Sequence, residues 1–147
     1  MNDQCEDIEK KHIIGLFIGT FGKVHSLPEL IELLISSEIK NLPIDFNFIG
    51  DGEDILECKE LVNKASNHNV KIYEGIPFEK VSAKLHQADF LIYSQIPDIL
   101  TDTIGAKFYE YLSVAKPVLV IGNSIAMEIV KELGNGWWVN SLNLEKL

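Results

Sequence analysis

The chain has 147 residues, of which 46% are hydrophobic, and it carries a formal net charge of −9. This is enough apolar material for one globular domain with its own core. The excess of 22 acidic over 13 basic residues excludes a nucleic-acid-binding surface, which needs clustered cations. The two cysteines, Cys5 and Cys58, lack the spacing of a metal site or a disulfide framework. No apolar run approaches the ~20 residues that cross a bilayer, so a reducing cytoplasmic setting fits best.

Short β-rich runs alternate with longer helical patterns from residue 12 onward. This alternation predicts an α/β fold in which a parallel sheet lies between two layers of crossover helices. Ser26 and Glu29 have the spacing of a capping box, and Asp54 is placed to cap the second helix. The segment 1–11 is polar and without periodicity, and we interpret it as a linker or a chain end. Six strands are predicted, over residues 12–19, 45–50, 70–75, 88–94, 117–122 and 136–140.

Parallel sheets bind ligands beyond the carboxyl ends of their strands, so the turns that follow the strands are the places to search. In the first turn, "GTFGKVHS" (19–26), Gly22 lets backbone amides approach an anion and Lys23 adds a positive charge before a helix. The turn matches neither G-x-G-x-x-G nor a P-loop, and an ordinary strand-to-helix turn stays an open alternative. His25 lies close enough to this turn to be a second candidate, whereas the remaining histidines are interpreted as structural or solvated.

The helix predicted over 105–115 carries a carboxylate that its core does not need. Its apolar stripe consists of Phe108, Tyr111, Leu112 and Ala115, and Glu110 lies off that stripe. One interpretation is a solvated ion pair between Glu110 and Lys107. The other is a carboxylate that accepts hydrogen bonds from a ribose diol at the ligand edge of the sheet. Farther along, one of the tryptophans in "GWWVN" (136–140) is predicted to lie in the core.

Four segments resemble one family. "KFYEYLSVAKPVLV" (107–120) is similar to the K-x-x-E-Y-L-x-x-G-K-P-V-L segment of GT-B glycosyltransferases in the large retaining group often called family 4. The family's order and spacing are also kept by three earlier segments, "FIGDGED" (48–54), "NVKIYEGIP" (69–77) and "LHQADFLIY" (85–93). The resemblance covers about 12–140 and implies a Rossmann-like, donor-binding carboxyl-terminal half. The acceptor-binding amino-terminal half is expected to be absent.

The resemblance also implies roles for individual residues. Glu110 matches the acid that holds the nucleotide ribose, and Asp102 stands where the family has a glutamate that contacts the transferred sugar. Thr20 and His25 occupy the positions of the family's usual arginine and lysine. A subgroup with G-N-x-G-R instead puts Lys23 in the cationic role, so that Lys23 and Asp102 are the implied catalytic residues. The implied donor-binding residues are Gly22, Lys23, Ile76, Thr103, Ile104, Gly105, Lys107 and Glu110.

The function implied is a retaining transfer of sugar from a nucleotide-diphosphate sugar, without a metal or cofactor, in bacterial surface polysaccharide biosynthesis. The acceptor would be a glycan or a lipid-linked sugar bound through the other half, so the isolated domain is expected to be inactive. Such an enzyme is cytoplasmic, and peripheral association with the inner face of the membrane is compatible with it. Two alternatives stay open. One is a sugar-nucleotide epimerase of GT-B fold, and the other is a receiver-like signalling domain, for which Asp51 would be the phosphoacceptor.

Overall fold

The computed structural model describes residues 12–66, 68–95, 105–122 and 124–140. Within these ranges, six strands form one parallel sheet in the order β3-β2-β1-β4-β5-β6. The strands are β1 Ile13–Ile18, β2 Ile44–Ile49, β3 Val70–Tyr73, β4 Phe90–Ser94, β5 Val118–Ile121 and β6 Gly136–Val139. The helices are α1 Leu27–Ser36, α2 Ile55–Lys64, α3 Phe78–Gln87, α4 Ala106–Ser113 and α5 Ile125–Leu133, with 3-10 turns at Lys23–His25 and Glu38–Asn41.

The side chains of the strands alternate between two buried clusters, one on each face of the sheet. On β1, for example, Leu16 and Ile18 belong to one cluster and Phe17 to the other. Strands that are buried on both faces are what the nearly continuous apolar runs of the sequence predict. The prediction of a Rossmann-like sheet of six parallel strands between helical layers is therefore confirmed.

The two central strands of the sheet, β1 and β4, separate toward their carboxyl ends. β1 pairs with β2 along its whole length, but its register with β4 covers only Gly15 and Leu16, opposite Phe90 and Leu91. The chain passes from β1 to β2 and β3 on one side and then returns to β4 on the other side of β1. The connections that follow β1 and β4 therefore leave in opposite directions. Such a switch point is where open α/β sheets bind ligands.

The two predicted helix caps do not form as expected. Ser26 is the N-cap residue of α1, but its backbone is left-handed (φ 46°) and its side chain makes no capping hydrogen bond. The reason is that Ser26 also closes the preceding 3-10 turn, where its N–H donates to the carbonyl of Lys23. Asp54 stands at the N-cap of α2, yet its carboxylate pairs with the ammonium of Lys23 instead of with the helix.

Two core assignments are corrected as well. Helix α4 ends at Ser113, and Ala115 is exposed in a left-handed conformation (φ 54°), so it does not extend the core stripe. Neither tryptophan of β6 is buried, since Trp137 is 56% exposed and Trp138 44%. The physical reason is that β6 is an edge strand. By contrast, Cys58 is fully buried, as predicted.

Candidate functional site

A cavity of about 180 Å³ lies at the carboxyl ends of β1 and β4, where the two strands part. This is smaller than the roughly 300–1,000 Å³ of a typical small-molecule site, so the cavity suits a phosphate or diphosphate group better than a whole nucleotide. Backbone from the end of β1, the start of α4 and a few polar side chains surround it. The lining residues are Phe17, Ile18, Gly19, Thr20, His25, Tyr93, Gly105, Ala106, Lys107 and Tyr111.

Two tyrosine hydroxyls maintain the gap between the strands. Tyr111 is fully buried, and its hydroxyl accepts a hydrogen bond from the N–H of Ile18 (3.0 Å) and donates to the carbonyl of Ile18 (3.3 Å). Burial raises the pKa of Tyr111, so the phenol stays protonated and remains a donor. The hydroxyl of Tyr93 accepts from the N–H of Gly105 (3.1 Å) and donates to Oε1 of Gln95 (3.2 Å). The contacts of Tyr111 satisfy the backbone of Ile18 where β1 and β4 have separated, and those of Tyr93 hold the start of α4 beside the end of β4.

Sequence reasoning did not identify these two tyrosines as site residues. It treated Tyr111 as part of an apolar stripe and Tyr93 as part of a strand. A signal was available, because a tyrosine at a position that the periodicity assigns to the core needs a hydrogen-bond partner for its hydroxyl, whereas a phenylalanine does not.

His25 connects the turn after β1 to the end of β4. Its Nδ1 lies 2.7 Å from the carbonyl oxygen of Ser94, and the hydroxyl of Ser94 donates to the carbonyl of His25 at 2.5 Å. The imidazole also packs edge-on against Phe17, with ring centroids 5.7 Å apart. This reciprocal pair fixes the ring at the cavity wall.

Lys107 and Glu110 form the ion pair that their spacing predicts. The ammonium of Lys107 lies 3.1 Å from Oε2 of Glu110, and the two side chains are 31% and 39% exposed. Lys107 lines the cavity, whereas Glu110 lines a neighbouring groove of about 260 Å³ between α3 and α4. Phe78, which is 79% exposed, stands at the α3 side of that groove. The Glu110 carboxylate therefore lies between an anion-sized cavity and a partly apolar groove.

Lys23 has a different setting. Its ammonium pairs with Asp54, whose side chain is only 3% exposed, while the Lys23 side chain is 68% exposed. The hydrogen bond to Asp54 raises the pKa of Lys23, so the ammonium stays charged but has a carboxylate partner already. Neither Lys23 nor Gly22 is among the described residues that line the cavity.

The structure thus brings together only some of the residues that the resemblance implied. Gly105 and Lys107 line the cavity, together with Thr20 and His25. Ile76 lies elsewhere, in a cavity of about 260 Å³ that also contacts Ile14 and Leu16. Three of the implied site residues fall outside the described residues, namely Asp102, Thr103 and Ile104.

Neither a metal site nor a membrane span is found in the part of the chain that the structure describes. No group of three or more His, Cys, Asp or Glu side chains in these ranges is arranged to hold a metal ion. Among the same residues, no helix combines the length and the apolar character needed to cross a membrane.

Comparison with known proteins places the chain in a family. The model for glycosyl transferases group 1 matches residues 2–147. The chain belongs to this family. Its sheet and helices are those of the carboxyl-terminal domain of a GT-B glycosyltransferase, as the resemblance in sequence had predicted. A search of curated protein sequences gives no significant match.

Several solved structures share the fold of this glycosyltransferase domain. WaaG, a glycosyltransferase involved in lipopolysaccharide biosynthesis, is 18% identical with a TM-score of 0.66 over 90% of this chain and 35% of WaaG. The carboxyl-terminal domain of the group 1 protein LpcC from Francisella tularensis is 20% identical (TM-score 0.65, 89% of this chain, 68% of that one). Alr3699/HepE from Anabaena, in complex with UDP and glucose, is 17% identical (TM-score 0.67, 89% and 35%). The chain therefore spans about a third of the length of WaaG and HepE.

Proposed function

We propose that this domain binds the nucleotide-diphosphate sugar donor of a retaining glycosyltransferase, with the diphosphate in the cavity between β1 and β4. The observation that carries the proposal is the position of Lys107 and Glu110. The cation lines the cavity at the switch point, and the carboxylate bound to it faces the next groove. In the donor, the diphosphate is joined to the ribose, so a diphosphate beside Lys107 would bring the ribose toward Glu110. HepE, which shares the fold, holds UDP and glucose in its crystal structure.

The diphosphate would be held by Lys107 and by backbone amides in the first turn of α4. A helix N-terminus favours an anion because its first N–H groups have no partner within the helix. Glu110 uses Oε2 for Lys107, which leaves its other carboxylate oxygen to accept hydrogen bonds from the ribose hydroxyls. Lys23 is expected to contribute less, since Asp54 already neutralises its charge. Asp102 and Ile76 keep the sugar and base roles that the resemblance implies.

The transfer step would be driven by stabilisation of the leaving group. The bond between the anomeric carbon and the diphosphate oxygen breaks, and the oxygen keeps the electron pair. The acceptor hydroxyl attacks from the same face, and its proton passes to the departing phosphate. Positive charge from Lys107 and the α4 amides offsets the charge that develops on the diphosphate, so this step needs no metal. The acceptor, a glycan or lipid-linked sugar of a surface polysaccharide, would be held by another domain.

Calorimetric titration with UDP-glucose and GDP-mannose tests the site. We expect the wild-type domain to bind one of these donors, and Glu110→Ala to weaken binding by about tenfold or more, because a charge-assisted hydrogen bond is lost. Glu128→Ala is the matched control, since Glu128 forms the same i, i+3 pair with Lys131 on α5, away from the cavity. Absence of binding at millimolar donor, or equal binding by wild type and Glu110→Ala, would contradict the assignment.

A further inference from the structure

We propose that residues 1–11 of this chain dock in the cavity of about 260 Å³ beneath α3, with Ile8 against its apolar wall and an acidic side chain beside Lys84. The segment lies outside the described residues, and the features that point to it are those of the cavity. The inference does not depend on the proposed function. The segment would occupy the end of the cavity at Ile14 and Gln87, whereas Ile76 lies at the end toward the carboxyl ends of the strands.

The cavity lies where the helices leave part of the sheet uncovered. On the face toward α3, the described members of the buried cluster include Ile49 alone from β2 and none from β3. On the opposite face, both of these strands contribute buried residues. The sheet supplies the cavity wall with Ile14, Leu16 and Ile49, and α3 supplies Lys84 and Gln87. Covering the apolar part of this wall would stabilise the fold.

Two polar groups of the cavity lack a partner among the described residues. Oδ1 of Asn47 is buried and accepts no hydrogen bond from them. The ammonium of Lys84 forms no ion pair with them. A buried acceptor without a donor is destabilising, and native proteins rarely leave one unpaired. A fitting occupant therefore supplies a hydrogen-bond donor, an anion and an apolar side chain, as a polypeptide segment does with a backbone N–H, a carboxylate and an aliphatic residue.

The chain enters the sheet at the edge of this cavity. His12 is the first described residue, and its Nδ1 lies 3.1 Å from Oδ1 of Asp45. Side chains alternate along a strand, so Asp45 lies on the same face of β2 as Asn47. Ile14, two residues after His12, lines the cavity. Four residues span at most about 14 Å, so Ile8 is within reach of the cavity.

The composition of the segment matches the cavity. Its acids are Asp3, Glu6, Asp7 and Glu9, against two lysines. Ile8 stands between two of these acids, so an apolar contact with the sheet brings a carboxylate toward Lys84 on α3. The match to the family model begins at residue 2, so nearly the whole segment falls within the region that this model describes. The segment is also tethered beside the cavity, which favours it over a separate molecule.

Disulfide trapping from Cys5 tests the docking on the full chain. Cys58 is fully buried, and Cys58→Ala leaves Cys5 as the single native thiol. Gln87→Cys and Tyr73→Cys each add a thiol to the cavity wall, one on α3 and one on β3. Glu38→Cys is the control, at an exposed position of the 3-10 turn that packs on α1 at the opposite face.

With diamide as the oxidant, at least one cavity variant should form the disulfide within the chain about tenfold faster than the control, or more. The reason is that docking raises the effective concentration above the roughly millimolar value of a flexible tether. The control closes a shorter loop, so chain length alone would favour the control. Because the two cavity positions lie on different walls, the test survives if one of these variants does not fold.

Two changes in the segment complete the test. Ile8→Asp should lower the rate of the cavity variants to that of the control, whereas Ile8→Val should leave it unchanged. Thermal unfolding shows whether each variant is folded. Equal rates at the cavity and control positions, or a rate that Ile8→Asp does not change, overturn the inference. Disulfide-linked dimers in place of the bond within the chain would mean that the cavity takes the segment of a second copy, and would overturn docking within one chain. No donor is present in these reactions, so none of the outcomes bears on the proposed function.

Discussion

The two faces of the sheet are packed with different aromatic residues. Five phenylalanines lie in the cluster toward α1 and α2, and several of their ring centroids are 6.0 to 6.4 Å apart. The face toward α3, α4 and α5 contains Tyr93 and Tyr111 beside Phe108; the hydroxyl of Tyr111 bonds to the end of β1 and that of Tyr93 to the start of α4. The phenylalanines of the first face are Phe17, Phe21, Phe46, Phe48 and Phe90.

This difference shows how one sheet can combine stability with a site. A phenylalanine contributes only by leaving water and by packing. A buried tyrosine contributes in the same way and also supplies a hydroxyl that replaces a missing ladder partner, as Tyr111 does at Ile18. The strands can therefore part at the cavity without leaving the backbone of Ile18 unsatisfied. We expect substitutions on the first face at residues that do not line the cavity, such as Phe48, to change stability alone, and those of the tyrosines on the second face to change donor binding as well.

The largest effect is expected for Phe48→Ala on the phenylalanine face. Phe48 is completely buried, and its removal should lower the free energy of unfolding by about 3–5 kcal/mol. Urea denaturation measures this loss. Phe78→Ala, at a position that is 79% exposed, is the control and should change stability by less than about 0.5 kcal/mol. Equal losses for the two variants would contradict the burial on which the comparison is based.

Tyr111→Phe tests the tyrosine face with an almost isosteric change. The N–H and carbonyl of Ile18 would lose their partner in a buried site, which should cost about 1–3 kcal/mol of stability. Donor affinity should fall too, because the end of β1 that lines the cavity is no longer fixed. Tyr109→Phe removes a hydroxyl from the same helix at a residue that is 57% exposed, and should leave both quantities unchanged. An unchanged stability in Tyr111→Phe would show that the hydroxyl does not replace a ladder partner.

The fold could be predicted from sequence because it depends on periodicity. Runs such as 12–19 and 117–122 are nearly continuous in apolar residues, and β1 and β5 lie within them. Capping patterns were less reliable where one residue belongs to two structural elements. Ser26 has the type and spacing of a cap, but it also closes a 3-10 turn, and the turn determines its conformation.

The site could be predicted only in part, because sequence gives the type of a residue but not the direction of its side chain. Lys23 and Lys107 both follow strands and both suit a phosphate. The structure directs Lys23 toward Asp54 and Lys107 into the cavity, and the position of Asp54 depends on how α2 packs against the first turn. The hydrogen bond between His25 and Ser94 joins residues 69 positions apart, which no local pattern reveals.

A smaller effect is expected from the buried thiol on the phenylalanine face. Burial raises the pKa of Cys58 from its ordinary value of 9.0 to about 12. The neutral thiol is therefore favoured in the folded state, and this contribution to stability is complete below pH 9 and is lost as the pH rises from about 9 to 12. In a Cys5→Ser background, Cys58→Ala should show a weaker loss of stability over that range than Cys5→Ser alone. Parallel alkaline profiles would contradict the raised pKa.

The smallest effect on stability is expected for Lys107→Met, and Lys23→Met is the comparison variant. The Lys107–Glu110 pair is partly exposed, so Lys107→Met should change stability by less than about 1 kcal/mol. It should nevertheless weaken donor binding by about tenfold or more, because a cation leaves the cavity. Lys23→Met should do the reverse, since it leaves the buried carboxylate of Asp54 without its partner but removes no cavity side chain. Denaturation and calorimetry on both variants measure the two effects. If Lys23→Met weakens binding more than Lys107→Met does, the diphosphate lies on the α2 side of the turn, and Asp54 must release Lys23 when the donor binds.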